Sequence, residues 1–237
     1  MKKFSEKIFR TYFVNTCLVV MLVLIASITV IGTSTQVFGN NTYSAYYHGN
    51  ENNNNVSLMF NVYLGEQYIE DILKVLDEGN AKATFFVGGS WAIKNSEILE
   101  QILQHGHEIG NHGYWHKDHK TLSIEKNMSE IGLTHEVIKQ LLDYEMTLFA
   151  PPSGSYGQNT LKVAQDMGYK TIMWSKDTID WRDQDKNIIY QRAIKNPSNG
   201  DLILMHPTNA TLQALPEIIT FYTQSGYKLT TVSENIL

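Results

Sequence analysis

At 237 residues, 43% of them hydrophobic and 18% charged, the chain has the composition of a folded protein with a sizeable core, which excludes intrinsic disorder. Its formal net charge is −5 and it has no long basic run beyond the N-terminus. That leaves no electrostatic footprint for a phosphate backbone and excludes nucleic acid as a partner.

The length suits one α/β domain of barrel size plus a targeting segment, expected as a monomer. Lys2, Lys3, Lys7 and Arg10 mark residues 1–12 as a basic cytoplasmic segment, and residues 13–32, from Phe13 to Gly32, carry no charge. About 20 apolar residues span roughly 30 Å of hydrocarbon as a helix. With the basic residues on its amino side, the segment is predicted to be a single-pass anchor in the cell membrane that places everything after Gly32 outside the cytoplasm. Val37 to Gly39 resemble a signal-peptidase site, which would give a secreted protein, but the apolar stretch is longer than an ordinary signal core and favours retention. The one cysteine, Cys17, lies within this stretch, so the exported part carries neither thiol nor disulfide. A domain of this size folds without such staples.

Residues 33–55 are polar, with Asn52 to Asn55 consecutive, and read as a linker to a domain over residues 56–237. From there short apolar runs alternate with helix-period stretches, the pattern of parallel strands joined by crossover helices. Strands are predicted at Val56–Tyr63, Ala83–Val87, Glu108–Asn111, Met146–Ala150, Thr171–Trp174, Leu202–Met205 and Lys228–Thr231. Helices are predicted over Gln67–Leu76, Ile98–Leu103, Ser123–Leu142, Thr160–Met167, Ile188–Ile194 and Leu212–Thr223. Seven β/α units suggest an irregular, closed or nearly closed (β/α) barrel more than an open sheet, and in either case reactive residues belong at the carboxyl ends of the strands.

Three segments there carry chemistry. His112 and His116, four residues apart after the Glu108–Asn111 strand, suit a divalent metal, although such a pair is by itself a weak signal. His105, His107 and His119 raise the local density without adding to the spacing. His206 closes the Leu202–Met205 strand, where an imidazole is well placed for acid or base work, and Asp177 to Trp181 follow another strand. Phe149-Ala150-Pro151-Pro152-Ser153-Gly154 is a rigid exit from strand to loop.

Taken in order, Ala81 to Val87, Gly106 to His112, Pro151 to Gly154, Asp177 to Trp181 and Leu204 to His206 resemble the polysaccharide deacetylase family, over about residues 56–235. The resemblance implies a deacetylase-type barrel and metal-assisted hydrolysis of N-acetyl groups on cell-wall glycan, most of all peptidoglycan, with Zn²⁺ or Co²⁺ as the cation. It makes His112 and His116 metal ligands and His206 the acid. Asp177 and Trp181 fall on the motif that orients the acid and shapes the groove, with Asp180 beside them. Trp181, Pro152, Ser153 and Tyr114 become substrate contacts, Ser153 through its backbone N–H.

Two motifs depart from the family. Its first motif, Thr-Phe-Asp-Asp-Gly, falls on Met59 to Tyr63, which puts Asn61 at the catalytic base and Val62 at the third metal ligand. An amide does not accept a proton at neutral pH and an isopropyl group does not bind a cation. The arginine that orients the base is replaced by Ala150, so two parts of one device are missing together. Glu66, shortly after the first strand, could substitute as base from the loop, and Val62→Asp is expected to strengthen a metal site that two histidines hold weakly. Two readings follow, a slow deacetylase and an inactive glycan-binding or morphogenetic protein. The substituted motifs resemble the sporulation-associated branch of the family in spore-forming Gram-positive bacteria.

Overall fold

The computed structural model describes residues 43–237. The predicted cytoplasmic segment, membrane span and first part of the linker lie outside them, and among the described residues no helix is long and apolar enough to cross a membrane.

Among the described residues, nine strands form one parallel sheet: β1 (Ala45–Tyr46), β2 (Asn55–Val62), β3 (Ala83–Val87), β4 (Glu108–Asn111), β5 (Leu148–Phe149), β6 (Lys170–Ile172), β7 (Lys176–Asp177), β8 (Leu202–Met205) and β9 (Lys228–Leu229). The order is β1-β6-β5-β4-β3-β2-β8-β7, with β9 pairing the start of β2. Eight α-helices among the described residues connect and cover them: α1 (Ile69–Glu78), α2 (Gly89–Ala92), α3 (Ser96–Gln104), α4 (Ile124–Leu142), α5 (Gln158–Asp166), α6 (Lys186–Ala193), α7 (Asn209–Gln224) and α8 (Val232–Asn235).

The expected barrel is therefore a curled sheet with two edges, β1 and β7, that are not paired to each other. Its count of nine exceeds the predicted seven because β1 and β7 are two-residue strands, too short to leave an alternation in the sequence. The linker is also shorter than expected. Ala45 and Tyr46 pair with Thr171 and Ile172, Gly49 N–H donates to Gly200 O at 2.7 Å, and Asn50 Nδ2 donates to Leu237 O at 2.7 Å. The polar composition that reads as a linker supplies these backbone clasps instead. They close beside Asp201, which is 2% exposed and accepts from Ser175 Oγ at 2.8 Å, Ser198 N–H at 2.8 Å and Lys176 Nζ at 3.1 Å.

Strand β2 positions the site. All its residues from Val56 to Val62 are buried, as in a parallel strand covered on both faces. Successive side chains alternate. Leu58, Phe60 and Val62 pack into the main core with α1 and α7, and Phe60 stacks on Phe85 at 4.9 Å. Met59 faces the opposite way, into a smaller cluster inside the curl with Phe86, Leu148, Ala150 and Ile172. Asn61, two residues on, shares that inner face and stands at its mouth.

Candidate active site

The carboxyl ends of the strands surround a cavity of about 790 Å³. Asn61 and Tyr63 come from the end of β2, His112 and His116 from the loop after β4, Ser153 from the turn after β5, Asp177 and Trp181 from β7 and its loop, and His206 from the end of β8. The sequence expectation that these segments converge at one end of the sheet holds for all of them.

His112 is 2% exposed and its Nδ1 donates to the Ala150 carbonyl at 2.8 Å, which fixes the tautomer and leaves the Nε2 lone pair free. Burial, then the neighbouring His116, hold its pKa down at about 3, so the ring is neutral at any physiological pH. His116 sits on a left-handed backbone, φ 53°, with its ring 5.2 Å from that of His112 and its pKa lowered by burial. The two imidazoles are thus prepared as neutral donors.

The partner of His206 is Asp180, not Asp177. Asp180 is fully buried and accepts from His206 Nδ1 at 2.7 Å, His206 N–H at 2.6 Å and Thr211 Oγ1 at 2.6 Å. His206 is left with Nε2 as its ring nitrogen for the cavity. Asp177 instead accepts the Ile179 N–H at 2.8 Å and holds Ile179 at φ 53°, a conformation that costs a β-branched residue about 1–3 kcal/mol. That turn reverses the register: it directs Asp180 inward and leaves Trp181 60% exposed on the cavity wall, which rules out a core role for the indole. The family resemblance assigns the orienting role to Asp177 with Asp180 only beside it, and the structure moves that role to Asp180.

Other expectations need correction. Pro152 is buried and supports the turn that carries Ser153, φ 54°, without lining the cavity. Tyr114 lines a neighbouring cavity, because the Gly113–Tyr114 backbone is drawn towards α2 by the bond from Ser90 N–H to Tyr114 O at 3.1 Å. Glu66 is exposed and lines that same second cavity, not the one lined by His112, His116 and His206. Among the described residues, Asp177 is the one carboxylate that lines the main cavity. His107 and His119 are buried away from the cavity, and His105 pairs with Asp77 at the surface.

A catalytic zinc takes three protein ligands. Val62, aligned with the third, is fully buried on the core face of β2 and absent from the cavity wall. Asn61 reaches the cavity, and its Oδ1 is buried with no hydrogen-bond partner. No group of three His, Cys, Asp or Glu side chains among the described residues is arranged to hold a metal. The donor set of this chain therefore falls short of the family's metal centre.

The loop after β2 is fitted closely to His206. Gly65 has φ 88°, and a Cβ there would lie 2.0 Å from the Pro207 carbonyl oxygen. Gly65→Ala is expected to lower stability by at least about 1–2 kcal/mol from the left-handed backbone alone. An unchanged urea midpoint would contradict this placement.

A polysaccharide deacetylase family model matches residues 48–172. The uncharacterized protein YlxY of Bacillus subtilis is 37% identical over 188 residues, 79% of this chain and 59% of that one, so this chain spans less than two thirds of that relative. A peptidoglycan-N-acetylglucosamine deacetylase of Bacillus cereus is 33% identical over 173 residues, 70% of this chain and 81% of that one. Among solved structures, a CE4 family pseudoenzyme from Bacillus anthracis superposes with a TM-score of 0.80 at 35% identity, covering 83% of this chain and 70% of that one. A mutant of that pseudoenzyme with restored enzymatic activity superposes with the same TM-score. The ordered motifs, the parallel curled sheet and the match over more than half of the sequence agree, and the chain belongs to the polysaccharide deacetylase family.

Proposed function

We propose that this domain holds N-acetylated cell-wall glycan, peptidoglycan above all, in the cavity between His112, His116 and His206, with little or no turnover. The observation that carries the reading is Asn61. Where a base carboxylate would stand, β2 presents a neutral amide whose oxygen is buried without a partner. A buried acceptor left unpaired costs about 1–3 kcal/mol, and the N–H of an acetamido group relieves that cost. Trp181 supplies an exposed indole face on the same wall. A Zn²⁺ or Co²⁺ ion held by two imidazoles alone would be weak and exchangeable. The apolar span at residues 13–32 supports an envelope location facing outward, and the substituted motifs support a role at sporulation.

Slow hydrolysis is the second reading, favoured by the intact His206–Asp180 pair and by Asp177 in the cavity. Retention of the full-length chain on peptidoglycan, beside acetate release, separates the two. Retention is expected, with release at least about 10²-fold below that of a catalytic relative, the usual worth of a general base. Release at a relative's level, abolished by His206→Ala, would replace the first reading with the second. Residual release that falls further in Asp177→Asn would identify the substitute base.

A further inference from the structure

Four polar side chains that do not line the main cavity form one hydrogen-bonded row ending at the His112 turn. Asn111, the last residue of β4, is fully buried. Its Oδ1 accepts the Gly113 N–H at 2.9 Å, and its Nδ2 donates to Ile131 O at 2.8 Å and to the Tyr169 hydroxyl at 3.3 Å. Tyr169, 4% exposed just before β6, has its hydroxyl 2.6 Å from His135 Nδ1. His135 stands one turn beyond Ile131 on α4, and its Nε2 meets Glu145 Oε2 at 3.0 Å. Lys139 pairs with the same carboxylate. The row thus begins at an exposed ion pair and ends on the peptide that joins His112 to Gly113.

We infer that Tyr169 is a positioning residue for the His112 turn, and that the charge on His135 decides whether Tyr169 can hold Asn111 there. The inference rests on the proposed function for the glycan that the turn receives.

The direction of every bond in the row follows from one fact. A carboxylate only accepts, so neutral His135 carries its hydrogen on Nε2 towards Glu145 and turns the lone pair of Nδ1 to Tyr169. The phenol therefore donates to His135, which leaves its oxygen to accept from Asn111 Nδ2. Burial pushes the Tyr169 hydroxyl up to about 12, so it keeps its hydrogen throughout. A proton gained by His135 enters at Nδ1, the nitrogen that held the lone pair. Nδ1 then donates, and the hydrogen of the phenol is left among donors, Nδ1 on one side and Asn111 Nδ2 on the other. A buried donor without an acceptor is costly, and the contact that gives way is the long one, to Asn111. Around His135 stand the charged and titratable groups Glu145, Lys139 and Tyr169. Histidine is the side chain that takes up its proton between pH 8 and 5, so the turn is held in neutral surroundings and eased in acidic ones.

The test is amide exchange of the Gly113 N–H in the full-length chain in detergent, at about pH 7.5 and about pH 5.5, expressed as protection against the intrinsic rate. The Ala150 N–H, which donates to Asn111 O at 2.9 Å, reports general opening of the sheet beside it. Relative to Ala150, protection of Gly113 is expected to fall about fivefold on acidification, the worth of one hydrogen bond. In His135→Gln, which keeps an acceptor for Tyr169 and takes up no proton, protection is expected to stay level. In Tyr169→Phe it is expected to be low at both pH values. A fall that persists in His135→Gln, or no fall in the native chain, would overturn the inference. Calorimetric titration with chitohexaose separates it from the proposed function: no binding at either pH, with the exchange pattern as expected, would overturn that function and leave the positioning role standing.

Discussion

Asn61→Asp is expected to raise Zn²⁺ affinity at least about tenfold, a gain of ~1.4 kcal/mol, and to raise acetate release from N-acetylated glycan by about 10²-fold or more. The reason is the direction of a single strand. Asn61 lies on the inner face of β2 at the cavity, in a set with the neutral rings of His112 and His116. A carboxylate there supplies either a third donor or a base, and both needs are unmet in the present chain. Val62→Asp, which alignment with the family favours, should behave differently. Its side chain is fully buried in the main core with Phe60 and Leu58. A carboxylate placed there without a partner costs several kcal/mol, so a lower melting temperature and no gain in metal affinity are expected. Calorimetry and thermal denaturation of the two variants decide the matter. A gain in Val62→Asp with none in Asn61→Asp would mean that β2 presents its end to the cavity with the opposite face.

The second large effect is acid sensitivity of the fold. His107 is 4% exposed, accepts the Ala83 N–H on Nδ1 at 3.3 Å, and has its pKa lowered to about 4, chiefly by burial. His112 is lowered to about 3, again chiefly by burial, and His116 and His119 are lowered from the same cause. Below about pH 6.5 the unfolded chain binds protons on these rings that the folded chain refuses, so stability falls as pH falls. By pH 4, His107 and His112 together withdraw on the order of 6 kcal/mol, comparable to the whole stability of an ordinary domain. Urea midpoints between pH 7 and pH 4 should therefore drop steeply. His107→Gln, which keeps an acceptor for Ala83 N–H and removes the proton site, should remove about half of that slope. A midpoint that stays level over this range would show that these rings are not held neutral by burial.

Much of this was legible in the sequence, for identifiable reasons. The strands Ala83–Val87, Glu108–Asn111 and Leu202–Met205 were read at their observed limits because each is a short buried run between turn residues or helices. Ser123 marked the start of α4 and does cap it, accepting from Lys126 N–H at 3.3 Å. The histidines and the Asp177–Trp181 segment were placed at one end of the sheet by topology alone. What was missed turns on information that a local pattern does not carry. The two-residue edge strands make no alternation, so the segment before β2 looked like a linker. Asp180 and Asp177 differ only by the direction that a left-handed Ile179 gives the chain. The second cavity depends on Tyr63, Trp91 and Trp115, brought together from two loops and helix α2, and no spacing in the sequence announces it.

The pairing of β2 also dictates the order in which this protein becomes complete. That strand lies between β3 and β8, and its first residues pair with β9, so Ser57 waits for Leu202 and Asn55 waits for Lys228. Such distant pairings close late and slow the reaction. As the chain emerges from synthesis, β3 arrives soon after β2, but the other flank stays open until β8 and β9 appear. The central strand is the first of the long strands to be made and among the last to be enclosed, and until then it presents a buried, apolar edge that is open to mispairing.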